Sequence, residues 1–258
     1  MSYPCEILEI NNWEQFFESV KRARTSLECQ RPWYRGHISA RYSLVPTLFR
    51  MGLTKEKSDE AERDAFELFE RRVQKLRVAP EAQRDWHVLA NMQHYGVPTR
   101  LLDWTSVLGI AVFFATAVHT PVPGGSDFAI YVLDPVSLNK KVGRPTVYSS
   151  EDEHFAYKSI YWQHKPFVPS GAIALETPFV NDRIFAQQGL FTVHMDDQPL
   201  EIARPDAVRK LTLHQSCAAE AKEFLHHANL NEATVFPDME GLARYVRSQM
   251  YSLGAAIK

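Results

Sequence analysis

The sequence predicts an α+β domain, a central antiparallel or mixed sheet of short strands surrounded by helices. Three observations carry that expectation. Short β-branched and aromatic runs such as Phe128–Leu133 are interspersed with longer segments whose apolar residues recur three and four apart. Hydrophobic residues make up 45 % of the 258, enough for a full core and too many for a chain whose main state is disordered. No repeat of fixed period, low-complexity tract or long linker divides the chain, so 1–258 is expected to form a single domain.

Residues 7–26 carry Ile10, Trp13, Phe16, Phe17 and Val20, which predicts a short strand and then a helix with Asn11 or Asn12 as N-cap. Pro32-Trp33-Tyr34-Arg35-Gly36 follows as a strand ending in a turn, its aromatics suited to a pleated surface and Gly36 supplying the bend. Residues 58–78 form a charged helix with Phe66, Phe69, Val73 and Leu76 three and four apart, ended by Pro80. A second helix over 81–95 sets Trp86, Leu89, Ala90 and Gln93 along one side, with Gly96 at C′. Pro98 holds Val97 extended and keeps the start of 97–105 out of a helix. Residues 106–119 are apolar all round, the pattern of a buried helix. After a loop at 121–126, Phe128–Leu133 is a strand closed by Asp134-Pro135, and 139–170 is irregular and aromatic with one helical turn near 153–161. Strands at 172–175, 190–194 and 210–213 and helices at 181–188 (capped by Asn181), 216–229 and 238–251 complete the chain.

Lys and Arg total 29 against 31 Asp and Glu, a net charge of −2. A general electrostatic binder of nucleic acid is basic, so any contact with DNA or RNA has to be local. No uninterrupted apolar run approaches the roughly 20 residues of a membrane span. The opening Met-Ser-Tyr-Pro-Cys-Glu has neither the basic nor the apolar part of a signal peptide. Cys5, Cys29 and Cys217 are odd in number and scattered, which fits a reducing cytoplasm and gives neither a disulfide framework nor a zinc knuckle. The expected setting is cytoplasmic, away from membranes.

Gly-rich phosphate loops, G-x-S-x-G elbows and H-E-x-x-H pairs are missing from the sequence. Three places set polar groups inside apolar surroundings. Arg35, directly after Trp-Tyr at a strand end, presents a planar fork that matches a phosphate or carboxylate, or else pairs with an internal acid. Gln93-His94-Tyr95-Gly96-Val97-Pro98-Thr99-Arg100-Leu101-Leu102-Asp103-Trp104-Thr105 strings five polar groups up to a helix N-terminus, a ready anion site. There Asp103 or Thr105 serves as a cap in the plainer reading, His94 as a core histidine, and Arg100 as the partner of Asp103. Arg183-Ile184-Phe185-Ala186-Gln187-Gln188-Gly189 places two amides, which orient a ligand but cannot act as a base, before a strand. Glu151-Asp152-Glu153-His154 has no second ligand group at matching spacing and is expected to be a charged loop, so no metal is expected. Tyr157, Tyr161 and Trp162 either stack a base or pack under the long loop.

At these places the sequence resembles the FRG domain family. Tyr34-Arg35-Gly36 matches its aromatic-Arg-Gly motif, and the 93–105 block followed by Ala111-Val112-Phe113-Phe114-Ala115 looks like its longest signature. Arg183 with Gln187-Gln188-Gly189 and Phe236-Pro237-Asp238 are similar to later blocks, so the motif core runs over about 31–245. A more distant similarity is to ADP-ribosyltransferases, through Arg35-Gly36 and then Thr105 leading into Ala111 to Ala115; where those enzymes carry a late catalytic Glu, this chain has Gln187-Gln188. The resemblance implies an ADP-ribosyltransferase-like fold and a pentosyl transferase consuming NAD, of the kind found in bacterial toxins and phage-defence effectors. Its partners would be an antitoxin or a macromolecular acceptor, protein or nucleic acid. On this implication Arg35, His94, Asp103 and Gln188 are catalytic. Tyr34, Arg35, Gly36, Thr99, Arg100, Thr105 and Gln187 bind NAD. The alternative is a non-enzymatic module that binds a nucleotide or a protein in the same cleft.

Overall fold

The computed structural model describes residues 5–73, 85–116, 126–152, 155–165, 169, 171–177 and 181–256. The strands are β1 (Glu6–Ile10), β2 (Trp33–His37), β3 (Leu101–Thr105), β4 (Phe128–Leu133), β5 (Tyr148–Ser149), β6 (Ile173–Glu176), β7 (Gly189–Val193) and β8 (Val208–Leu213). They form one mixed sheet in the order β1-β8-β4-β2-β3-β7-β6-β5. The pairs β1–β8 and β5–β6 are parallel and the rest antiparallel. The helices are α1 (Glu14–Ser26), α2 (Lys55–Val73), α3 (Asp85–His94), α4 (Leu108–Thr116), α5 (Pro135–Lys140), α6 (Asp182–Gln187), α7 (Leu200–Ala203), α8 (Ala218–His227), α9 (Glu232–Val235) and α10 (Met239–Ala256). The chain is therefore α+β with a central mixed sheet, as its patterning predicts.

Hydrophobic alternation explains the layers. Along β4, Phe128, Ile130 and Val132 face a core shared with α1, α4 and α8, while Ala129, Tyr131 and Leu133 face a second core with α5 and α7. A third core packs Phe66 of α2 and Trp86, Leu89 and Met92 of α3 against Leu101, Phe191 and Val193. Tyr157 and Tyr161 are buried there, stacked among Phe66 and Trp86, so these rings pack rather than present a face to a base. Caps fall where small polar residues predict them. Asn12 Oδ1 accepts from Gln15 N at 3.1 Å, Asp134 from Val136 N at 3.0 Å and Asn181 from Ile184 N at 2.8 Å. Gly96, with φ +78°, ends α3 as expected.

One expectation changes. Gly36 makes no turn, because β2 continues through it to His37. A Cβ there would lie 1.9 Å from the Ala111 carbonyl oxygen, so the glycine lets α4 lie directly on the strand. The turn near 153–161 is a π-helical one at Lys158–Trp162. The short β5, α7 and α9 escaped the periodicity, being too brief to show one. Pro80, Leu76 and the 121–125 loop lie outside the described residues. Among the described residues no helix is long and apolar enough to cross a membrane. The three cysteines are free and buried, and burial pushes their thiols up, Cys5 to about 11 and Cys29 to about 12.

Candidate functional site

The sheet parts between β2 and β3. On one side β2 pairs with β4 at five positions, Trp33↔Leu133 through His37↔Ala129, and β3 likewise pairs with β7 from Leu101↔Val193 to Thr105↔Gly189. Between them β2 and β3 meet at Tyr34↔Thr105 alone and then diverge. Unpaired strand edges leave backbone groups without ladder partners. Here Arg35 reaches across the gap, and its Nη1 donates to the Asp103 carbonyl oxygen. The gap widens into a cleft of about 310 Å3, walled by Tyr34, Trp104, Phe114 and Phe191 and carrying Arg35, His94, Asp103 and Arg183.

A directional chain of hydrogen bonds sets Asp103. The Thr99 hydroxyl oxygen accepts from Leu101 N at 3.1 Å, so its proton goes to Gln93 Oε1 at 2.7 Å. That fixes the amide, whose Nε2 donates to Asp103 Oδ2 at 2.7 Å. Arg35 Nη1 lies 3.8 Å from the same carboxylate oxygen. The Asp103 side chain remains 54 % exposed, so a bound molecule can reach it. Arg35 is held in turn by His37, whose Nε2 accepts from Arg35 Nε at 2.9 Å. Arginine only donates, so the proton of His37 is on Nδ1, which donates to the Tyr42 carbonyl at 3.3 Å. Burial, reinforced by the Arg35 charge, holds His37 down to about 3 and keeps it a neutral acceptor. His94 is also shifted down, by burial and then by Arg183, and is therefore a neutral imidazole near pH 7.

The predicted residues divide. Tyr34, Arg35, Gly36, His94, Asp103, Thr105 and Gln187 line the one cleft. Thr105 is nonetheless occupied, since its hydroxyl accepts from Val107 N at 3.0 Å and donates to the Gln187 carbonyl at 2.7 Å, as a helix cap would. Thr99 is fully buried and reaches the cleft only through Gln93. Arg100 does not reach it. At 2 % exposure it is bound by Glu62 through Nε and by Asp59 at 2.7 Å, and its charge is answered there rather than by Asp103. Gln188 ends α6 in the left-handed conformation, φ +46°, and lines a separate groove with Arg24 and Arg31. Its neighbour Gln187 stays in the cleft, with Nε2 donating to the Val235 carbonyl at 3.1 Å.

Sequence reasoning missed His37, which a two-residue strand period after Arg35 could have exposed, and gave no role to Gln93 or Arg183. Of the acidic stretch, Glu151 faces His87 at 3.1 Å and Asp152 faces Arg144 at 3.1 Å, while Glu153 and His154 lie outside the described residues.

Residues 30–122 match the FRG domain family. No curated protein and no solved structure matches the chain. The matched span holds Arg35, Gln93, His94 and Asp103; Arg183 and Gln187 lie beyond it, and the fold returns them to the same cleft.

Proposed function

We propose that this chain, which carries an FRG domain over residues 30–122, binds NAD in the cleft, cleaves the bond between nicotinamide and ribose, and transfers ADP-ribose to a protein or nucleic-acid acceptor. A toxin or phage-defence effector would use such a reaction. The observation that carries the reading is Asp103: a reachable carboxylate, oriented by Gln93, beside a guanidinium in an aromatic-walled cleft. At about 310 Å3 the cleft is at the small end of ligand pockets, which run from roughly 300 to 1,000 Å3. It would enclose the reacting half of a dinucleotide and leave the other half along its mouth.

In the proposed reaction the ribose C1–nitrogen bond breaks with its electron pair passing to the pyridinium ring, which leaves as neutral nicotinamide. Positive charge then develops on C1 and the ribose ring oxygen, and the Asp103 carboxylate steadies it, as a carboxylate does in glycoside cleavage. An acceptor O–H or N–H adds at C1, and its proton passes to the neutral His94. Gln93 and Thr99 hold Asp103, and Arg35 braces the two strands that carry the site.

One observation favours a second reading, a nucleotide-binding module without turnover: Gln187 offers an amide, not a carboxylate, at the cleft wall. Nicotinamide release from NAD, with and without a cell extract as acceptor, separates the two. Release that is lost in Asp103→Asn and Arg35→Ala supports the transferase. Binding of NAD with no release leaves the module, and neither binding nor release removes both.

A further inference from the structure

Two guanidinium groups line the cleft, and they are differently committed. Arg35 is engaged along its fork, by His37 at Nε and by the Asp103 carbonyl at Nη1. Arg183, in the first turn of α6, has no acidic side chain within 4.0 Å and no side-chain hydrogen bond among the described residues. Its guanidinium lies over the Phe236 ring with Cζ 4.5 Å from the centroid, and Arg244 lies over the same ring at 4.4 Å. Stacking on an aromatic face fixes the plane of a guanidinium and leaves its N–H edge pointing outward, the edge that binds phosphate oxygens in pairs. Burial destabilises the Arg183 charge more than the attraction of Asp103, Asp238 and Glu240 restores it, and Arg244 adds a smaller repulsion. An anion placed beside Arg183 would relieve both.

Resting on the reading of the cleft as a nucleotide site, we infer that Arg183, and not Arg35, is the chief anchor for the phosphate groups of the ligand. Arg35 serves mainly to brace the parted strands. The division also accounts for Phe236, which orients the anchor from outside the cleft. The ligand class this selects is a phosphate-bearing nucleoside, with the phosphate towards α6 and the reacting ribose towards Asp103.

Calorimetric titration with three probes tests it: NAD, inorganic pyrophosphate, and nicotinamide riboside, which keeps the reacting bond but carries no phosphate. Arg183→Gln is expected to weaken NAD and pyrophosphate by roughly 30-fold, within the range of charged hydrogen bonds, and to leave the riboside unchanged. Arg183→Lys, which keeps the charge but not the paired edge, should fall between. Equal weakening of all three probes would overturn the inference, since it would mean Arg183 only shapes the cleft. So would unaltered NAD binding in Arg183→Gln with a sharp loss in Arg35→Gln. If the unmodified protein binds none of the three, the nucleotide reading itself fails and this inference falls with it.

Discussion

Replacing Gly36 with alanine puts a methyl group into the contact between α4 and β2. The new Cβ would lie 1.9 Å from the Ala111 carbonyl oxygen, 2.7 Å from the Ala115 nitrogen and 3.0 Å from the Ala111 carbonyl carbon. All three are backbone atoms, so no rotamer change relieves the clash. Restoring ordinary contact requires α4 to retreat by roughly 1.5 Å, which forfeits dispersion contacts along the interface. The helix is almost wholly buried, with Ile110, Ala111, Val112, Phe113 and Ala115 in place against the sheet. Overpacking a core costs about 1–3 kcal/mol, and a rigid backbone clash belongs at the upper end, about 3 kcal/mol. Against a total stability of about 5–15 kcal/mol that is a large fraction. Urea denaturation of Gly36→Ala should show it as a lowered midpoint. Gly52→Ala is the comparator: Gly52 has φ +72° and open space around it. Its loss should be only the left-handed backbone strain of about 1 kcal/mol. A Gly36→Ala midpoint equal to that of the unmodified protein would refute the close-approach argument.

Glu62→Gln removes the carboxylate that holds Arg100 and the Tyr157 hydroxyl. Leaving a buried guanidinium poorly compensated should cost about 3–5 kcal/mol by denaturation, and an unchanged stability would contradict the structural role given to Arg100. Buried His37 and His194 are both held down to about 3, so between pH 6.5 and 3 the unfolded chain binds more protons than the folded one. Stability should therefore be level in this respect above about pH 6.5 and fall below it, by about 1.4 kcal/mol per pH unit for each histidine. Denaturation midpoints from pH 7 to 4 check this, and His37→Gln should reduce the slope by about half. Thr99→Val removes the hydroxyl that anchors Gln93 Oε1 and lets the amide swing away from Asp103; kcat for nicotinamide release should drop roughly tenfold with KM little changed, the size of one lost hydrogen bond. Thr99→Ser should restore it, and a fall in KM alone would remove the orienting role.

Much of the fold is legible because its signals are local. The ends of β4 follow from an apolar run stopped by Asp-Pro, and α6 begins where Asn181 can cap it. Gly36 suggests a turn because a glycine advertises conformational freedom, whereas the reason for it lies in a helix distant in sequence. The same distance hides the fate of arginines. Arg35, Arg100 and Arg183 have equal standing in the sequence, yet Arg100 meets Glu62 on the inward face of an otherwise charged helix. Nor does the sequence say which of two adjacent glutamines ends α6. The left-handed residue is Gln188, and one residue of rotation carries its side chain into the neighbouring groove. The 93–105 block points to the cleft because Gln93 at its start and Asp103 ten residues on meet there through a single hydrogen bond.

Hydrogen–deuterium exchange with saturating NAD tests most directly whether the parting of β2 and β3 is the ligand site. Peptides covering Trp33–His37, Leu101–Thr105 and Asp182–Gln187 should gain protection together. Protection confined to the separate groove that Leu225 and His226 of α8 line with Tyr245 and Gln249 of α10, or none anywhere, would contradict the account.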